Sequence, residues 1–244
     1  MQIAHPHFPL AEQVPFAHFN NRCAGGSCYV VGRGPTEFDY TELGATDEPV
    51  FFINDAVCLE KHVRGESFFF AHDRQLLPWL NGAIRSTAVL PIDGKVFCVE
   101  PGEAPERTLA HAGKIVFYHW REDNRQAQLH MTRDQLAEAK QLFTHTGTIH
   151  SLLHFVWYCG FRKVSFVGCD CITDTHALAG NFHTPDGYDP RLENRSGSSA
   201  SPSYPAIRRA QDLLTMLFGF EAVYRGTPRP ISDPTPSVPQ SKST

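Results

Sequence analysis

Short apolar runs bounded by glycine, proline and small polar residues mark out this chain. Residues 28–32 (Cys28, Tyr29, Val30, Val31, Gly32) read as a buried strand that enters a glycine loop at once. Residues 49–53 read as a second strand, ending at Asn54, Asp55 and Ala56, with short helical or turn material at 39–43 in between. Further strands are predicted at 67–71, 87–90, 95–99 and 115–118, separated by loops rich in Gly, Pro and Glu. Thr132 and Gln135 have the spacing of a capping box and predict a helix from there to about residue 143. After Thr146, Gly147 and Thr148 comes a helix apolar on every side, which belongs between layers. A strand over 163–167 follows and closes on Gly168, Cys169 and Asp170. Ile207, Ala210, Leu213, Leu214, Leu217 and Phe218 then recur at helical spacing until Gly219, before a last strand at 221–224.

Apolar strands alternating with helices predict an α/β fold: a doubly wound, largely parallel sheet, Rossmann-like and single-domain, with a lid-like loop segment. Residues 1–27, with Pro6, Pro9 and Pro15 and no period, are expected to form an irregular arm over the body. The body spans 28–226. It includes a lid at 172–203, a length of Gly, Ser, Asn, His, Asp and Pro that in a compact domain is a functional or a disordered loop. The tail 227–244, with five prolines, is expected to be disordered.

Composition narrows the partners. With 244 residues, 41% hydrophobic and 11% aromatic, the chain can bury one large core. A formal charge of -4 and no long Lys/Arg run remove the footprint of a general nucleic-acid binder, so any nucleotide site must be local. Most of the seven scattered cysteines are expected to be reduced core residues of a cytoplasmic protein. No signal peptide and no apolar run near the roughly 18 residues of a spanning helix are seen. The expected location is the cytoplasm, the inner face of a membrane included.

Three segments put glycine or polar residues directly after a strand, where open parallel sheets bind ligands. They are the loop Gly32, Arg33, Gly34, Pro35, Thr36; the pair Asn54 and Asp55; and Gly168 with Asp170. Glycines there permit close backbone approach and expose N–H groups, and Arg33 offers a charge to a phosphate; the competing reading is an ordinary tight turn. Thr146, Gly147 and Thr148 open a helix whose N–H groups suit a phosphate or sugar oxygen, or simply cap it. His150 and His154 share a helix face at metal-pair spacing, but no HExxH glutamate lies between them. Cys23, Cys28, Cys169 and Cys171 do not have the spacing of a zinc ribbon or finger. In the long loop, Asp174, His176, His183, Asp186, Tyr188, Asp189 and Arg191 supply acid/base and phosphate-binding types, or a solvated surface.

Taken together, these segments resemble the bacterial CMP-sialic-acid sialyltransferases with a single doubly wound domain. The loop from Gly32 to Thr36, with Phe38, Asp39, Tyr40 and Leu43 behind it, is similar to that family's G-x-G-P-S loop and following I-D-Y-x-x-L. Phe51, Phe52, Ile53 and Asn54 resemble its second strand, and Thr146, Gly147 and Thr148 its segment before a buried helix. The run from Tyr158 to Asp170 is close to its L-G-[FY]-K-E-I-Y-L-x-G-[IV]-D run, shared with flagellin glycosyltransferases and 6-hydroxymethylpterin pyrophosphokinases.

The resemblance implies metal-independent, inverting transfer of a sugar from a CMP-activated or other nucleotide-activated donor to a glycan or glycoconjugate hydroxyl. Gly32, Arg33, Gly34, Pro35, Thr36, Asn54, Asp55, Thr146, Gly147, Thr148, Gly168 and Asp170 would line the nucleotide pocket. Arg33 stands where the family often has Asn. The family tyrosines that steady the leaving phosphate have no match at Cys171 and Ile172, which leaves Tyr188 as the substitute. Ser201, Pro202, Ser203 and Tyr204 stand where the family places its catalytic His, so His176 or His183 would serve as base. No cofactor is expected. The alternative is a pyrophosphokinase using ATP and Mg²⁺, with Asp55 and Asp170 as metal ligands, and a third reading is a nucleotide-binding protein without catalysis. Homo-oligomerisation is a further expectation.

Overall fold

The computed structural model describes residues 8–32, 34, 36–72, 80, 82, 84–92, 109–120, 129–143, 147–169 and 204–228. Its strands are β1 (Glu12–Gln13), β2 (Ser27–Val31), β3 (Thr36–Glu37), β4 (Val50–Ile53), β5 (Ser67–Phe70), β6 (Thr87–Pro91), β7 (Lys114–Trp120), β8 (Gln141–Leu142), β9 (Lys163–Val167), β10 (Glu221–Arg225) and β11 (Thr227–Pro228). The α-helices are α1 (Arg133–Ala139), α2 (Thr148–Tyr158) and α3 (Tyr204–Leu217). Nine strands form one sheet in the order β1-β7-β6-β5-β4-β2-β9-β10, with β8 also on β7. Every pairing in that sheet is parallel. The predicted α/β, largely parallel, Rossmann-like architecture is thus the observed one.

The strands read as unbroken apolar runs because both faces of the sheet are covered. Side chains alternate between two cores. Cys28 and Val30 of β2, Phe51 of β4 and Phe68 and Phe70 of β5 pack with Leu152, Phe155 and Val156 of α2. Tyr29 and Val31, Val50 and Phe52, and Phe69 pack on the other side with Leu43, Ala56 and Val57. Phe51 stacks on Phe68 with ring centres 4.4 Å apart. Residues Ile149 through Val156 of α2 are all buried. Phe155 alone meets Phe16, Phe19, Phe51, Phe68 and Phe70, so the helix lies between the sheet and the segment Phe16–Phe19.

Several expectations are corrected. The amino-terminal arm is built into the body from Phe8 onward. Phe8, Phe16 and Phe19 are core residues, and β1 extends the sheet by pairing Glu12 with Lys114. The capping box forms as predicted: Thr132 Oγ1 accepts the Gln135 N–H at 3.2 Å, and Gln135 Oε1 accepts the Thr132 N–H at 2.9 Å. The helix stops at Ala139, short of residue 143, because Lys140 takes a left-handed φ of 53° and Gln141 then pairs with His119. After β4 the chain makes a 3-10 helix, Asn54–His62. Residues 227 and 228, expected in the tail, form β11 antiparallel to β3. The strand predicted at 95–99, the lid at 172–203 and the tail beyond 228 lie outside the described residues.

A buried polar cluster ties the amino-terminal ends of β5 and β6 to that 3-10 helix. Ser67 donates to Glu60 Oε1 at 2.9 Å, Ser86 donates to the same oxygen, and the Arg85 backbone N–H donates to Oε2 at 3.0 Å. Glu60, Ser67 and Ser86 are all buried, and their mutual bonds are what make that burial tolerable.

Candidate functional site

The chain leaves β2 for β4 on one side and returns as β9 on the other, so the strand order reverses between β2 and β9. In an open parallel sheet that reversal opens a crevice at the carboxyl ends of the flanking strands. At this reversal the loops after β2 and β9, both carrying glycine, are held backbone to backbone. The Gly32 N–H donates to the Val167 carbonyl and the Gly34 N–H to the Gly168 carbonyl, both at 2.8 Å. A Cβ on Gly32 would stand 2.5 Å from the Gly168 oxygen, and one on Gly34 2.7 Å from it. Gly168 has a left-handed φ of 61°, and its own Cβ would stand 2.7 Å from the Gly32 oxygen.

The glycine requirement is therefore set by the opposing loop. With both amides engaged, Gly32 and Gly34 are not phosphate donors through those N–H groups, and they contribute the close packing of the two loops. Thr36 is buried at the start of β3, where β11 pins it.

Asn54 sits at the carboxyl end of β4, beside β2. Its φ of 54° is left-handed, a conformation in which Asn is enriched but which still carries strain. Its Oδ1 is buried and has no hydrogen-bond partner among the described residues. Asp55 follows, half-buried, in the first turn of the 3-10 helix. Gly147 is the N-cap of α2 and Thr148 its first residue.

The two helix histidines are committed to structure. His150 Nδ1 accepts the Gly147 N–H at 3.3 Å and its Nε2 lies 3.1 Å from the Ile207 carbonyl, which makes it an Nε2–H tautomer joining α2 to α3. His154 Nδ1 accepts the Phe143 N–H at 2.7 Å, and burial pushes its pKa down to about 3. Their i, i+4 spacing serves packing and loop anchoring.

Cys169 turns its thiol toward the Val30 and Val167 carbonyls at 3.6 and 3.4 Å, and burial pushes the Cys28 and Cys159 thiols well up. Arg33, Pro35, Thr146, Asp170, Cys171, His176, His183 and Tyr188 lie outside the described residues. The structure thus brings Gly32, Gly34 and Gly168 into contact and sets Asn54 just past the end of β4, the strand beside β2.

One residue at this edge was missed by the sequence reading. His72 follows β5, packed near Phe70 and Tyr118 with ring centres 5.8 and 6.1 Å away. Removal from water, with nearby His150 adding to it, pushes its pKa down to about 4 and keeps the imidazole neutral. The signal was present, since Ala71 and His72 close a predicted strand just as Asn54 closes the one before. Asn54 and His72 thus stand at the carboxyl ends of the neighbouring strands β4 and β5, on the β4 side of the strand-order reversal.

The fold is that of a doubly wound α/β protein whose strand order reverses between β2 and β9. No protein-family model matches the chain, and no curated protein matches it.

Proposed function

We propose that the chain is a glycosyltransferase that binds a nucleotide-activated sugar, CMP-activated by the resemblance, at the carboxyl edge of β2, β4 and β9. The observation that carries the reading is Asn54. Its Oδ1 is a buried acceptor without a partner among the described residues, on a left-handed backbone at the carboxyl end of β4, and a buried acceptor left unfilled costs about 1–3 kcal/mol until an N–H or O–H reaches it. A nucleotide base or sugar hydroxyl supplies such a donor.

In the proposed reaction the acceptor hydroxyl oxygen attacks the anomeric carbon from the side opposite the nucleotide. The bond to the phosphate breaks with its electron pair on the departing nucleotide, and the hydroxyl proton passes to a base, His176 or His183. Arg33 and Tyr188 are the proposed groups that offset the charge growing on the leaving phosphate. Asp170 and the helix entrance at Thr146, Gly147 and Thr148 complete the nucleotide contacts in this reading. The transfer, as in the resembled family, uses no metal.

The test is a thermal-shift panel of CMP, CDP, UDP, GDP and ATP, each with and without Mg²⁺. A ligand at about 100 times its Kd stabilises by roughly 2.7 kcal/mol. Metal-free stabilisation by a pyrimidine nucleotide is expected. Stabilisation by ATP only with Mg²⁺ would overturn the proposal in favour of diphosphate transfer, with Asp55 and Asp170 as metal ligands. Silence toward every nucleotide would leave no nucleotide enzyme to argue for.

A further inference from the structure

β10 ends the sheet, and among the described residues no strand pairs with its outer edge. A bare edge is a row of unmet N–H and C=O groups that another strand can join. The residues along it are Glu221, Ala222, Val223, Tyr224 and Arg225, alternating exposed and half-buried. Ala222 and Tyr224 turn toward the α3 side, where Tyr224 stacks on Phe166 at 5.1 Å and its hydroxyl accepts from Gln211 at 2.8 Å. Glu221, Val223 and Arg225 share the opposite, uncovered face, and Val223 is 42% exposed there.

The order of these residues is self-complementary. If two copies of β10 run antiparallel about a two-fold axis at Val223, Glu221 of each copy faces Arg225 of the other, and Val223 faces Val223. A closed two-fold interface requires this, because each residue must meet its counterpart reciprocally. Parallel self-pairing would set Glu221 beside Glu221, so the same charges that permit one register oppose the other.

We propose that the β10 edge is a homodimer interface, in which a second copy of this chain pairs antiparallel through Val223 and extends the sheet across the two molecules. The Lys163–Glu221 contact at 3.4 Å does not compete strongly, since both side chains are well exposed and the pair is screened by water. The interface is independent of the nucleotide reading.

The experiment is sedimentation velocity over a concentration series of the full-length chain. The wild type is expected to pass from monomer to dimer. Arg225→Glu and Glu221→Arg each replace two attractive cross-strand pairs by repulsive ones and should each raise the dimer dissociation constant by about tenfold. The double reversal, Glu221→Arg with Arg225→Glu, restores opposite charges and should return the constant toward the wild-type value. Thermal unfolding of each variant checks that the monomer fold is intact. A wild-type chain that stays monomeric overturns the proposal. So does a dimer indifferent to the single reversals, or one weakened by them that the double reversal fails to restore.

Discussion

Replacing Gly168 by alanine places one methyl group where the loops after β2 and β9 touch, and Gly219 supplies a matched control. Both residues have left-handed backbones, with φ of 61° and 66°, so each Ala variant carries the left-handed penalty of about 1–2 kcal/mol. Nothing lies within 4 Å of the Cβ position at Gly219, whereas at Gly168 that Cβ meets the Gly32 oxygen at 2.7 Å and the Gly34 nitrogen at 3.1 Å. The loops must separate to admit it, losing the Gly34 N–H to Gly168 bond, about 1 kcal/mol, with overpacking adding about 1–3 kcal/mol. Gly168→Ala should therefore destabilise the protein by about 3 kcal/mol more than Gly219→Ala. Urea unfolding checks this through a lower midpoint at an unchanged slope. Equal losses in the two variants would refute the interlock between the β2 and β9 loops.

Three further outcomes are expected. Glu60→Ala leaves the Ser67 and Ser86 hydroxyls and the Arg85 N–H without their acceptor and should cost about 3 kcal/mol in urea unfolding, with Glu60→Gln losing clearly less. His154 has a folded pKa of about 3, below the 6.5 of the unfolded chain, so the unfolded chain binds the proton first as pH falls. Its stabilisation is complete above about pH 6.5 and is lost at about 1.4 kcal/mol per unit as pH falls toward the folded pKa of about 3. His154→Asn keeps an acceptor for the Phe143 N–H but cannot titrate, so its unfolding free energy should show a shallower slope over that range. Asn54→Gly relieves the left-handed strain and removes the buried Oδ1, so its melting temperature should hold or rise while stabilisation by the nucleotide disappears. Retained nucleotide stabilisation in that variant would remove Asn54 from the site.

The parallel sheet and α2 were legible because burial on both faces leaves unbroken apolar runs, visible in Phe51 and Phe52, Phe68 to Phe70, and Ile149 to Val156. The two-residue strands β1, β8 and β11 were not, since each is defined by the edge it meets rather than by any period of its own. The 3-10 helix Asn54–His62 escaped for a related reason: Glu60 is buried only because Ser67 and Ser86 come to it. At the site, the position of Asn54 at a strand end was readable, but its left-handed backbone and orphan oxygen were not. Gly32 and Gly34 were noticed for the right property, close approach, but the body they approach is Gly168, far along the chain. His72 follows a strand as Asn54 does, but its burial against Phe70 and Tyr118 needs β7, two strands away in the sheet, and leaves no mark in the local sequence.

The pairing of β2 with β9 also fixes when the sheet can be completed during synthesis. Val30 lies against Phe51 on one side and Phe166 on the other. The first partner leaves the ribosome soon after β2, and the second only when two-thirds of the chain has been made. Until then β2 is the bare edge of an apolar half-sheet, open to any strand that offers itself. A chain that stalls or is truncated before Lys163 exposes the middle of the molecule rather than its rim.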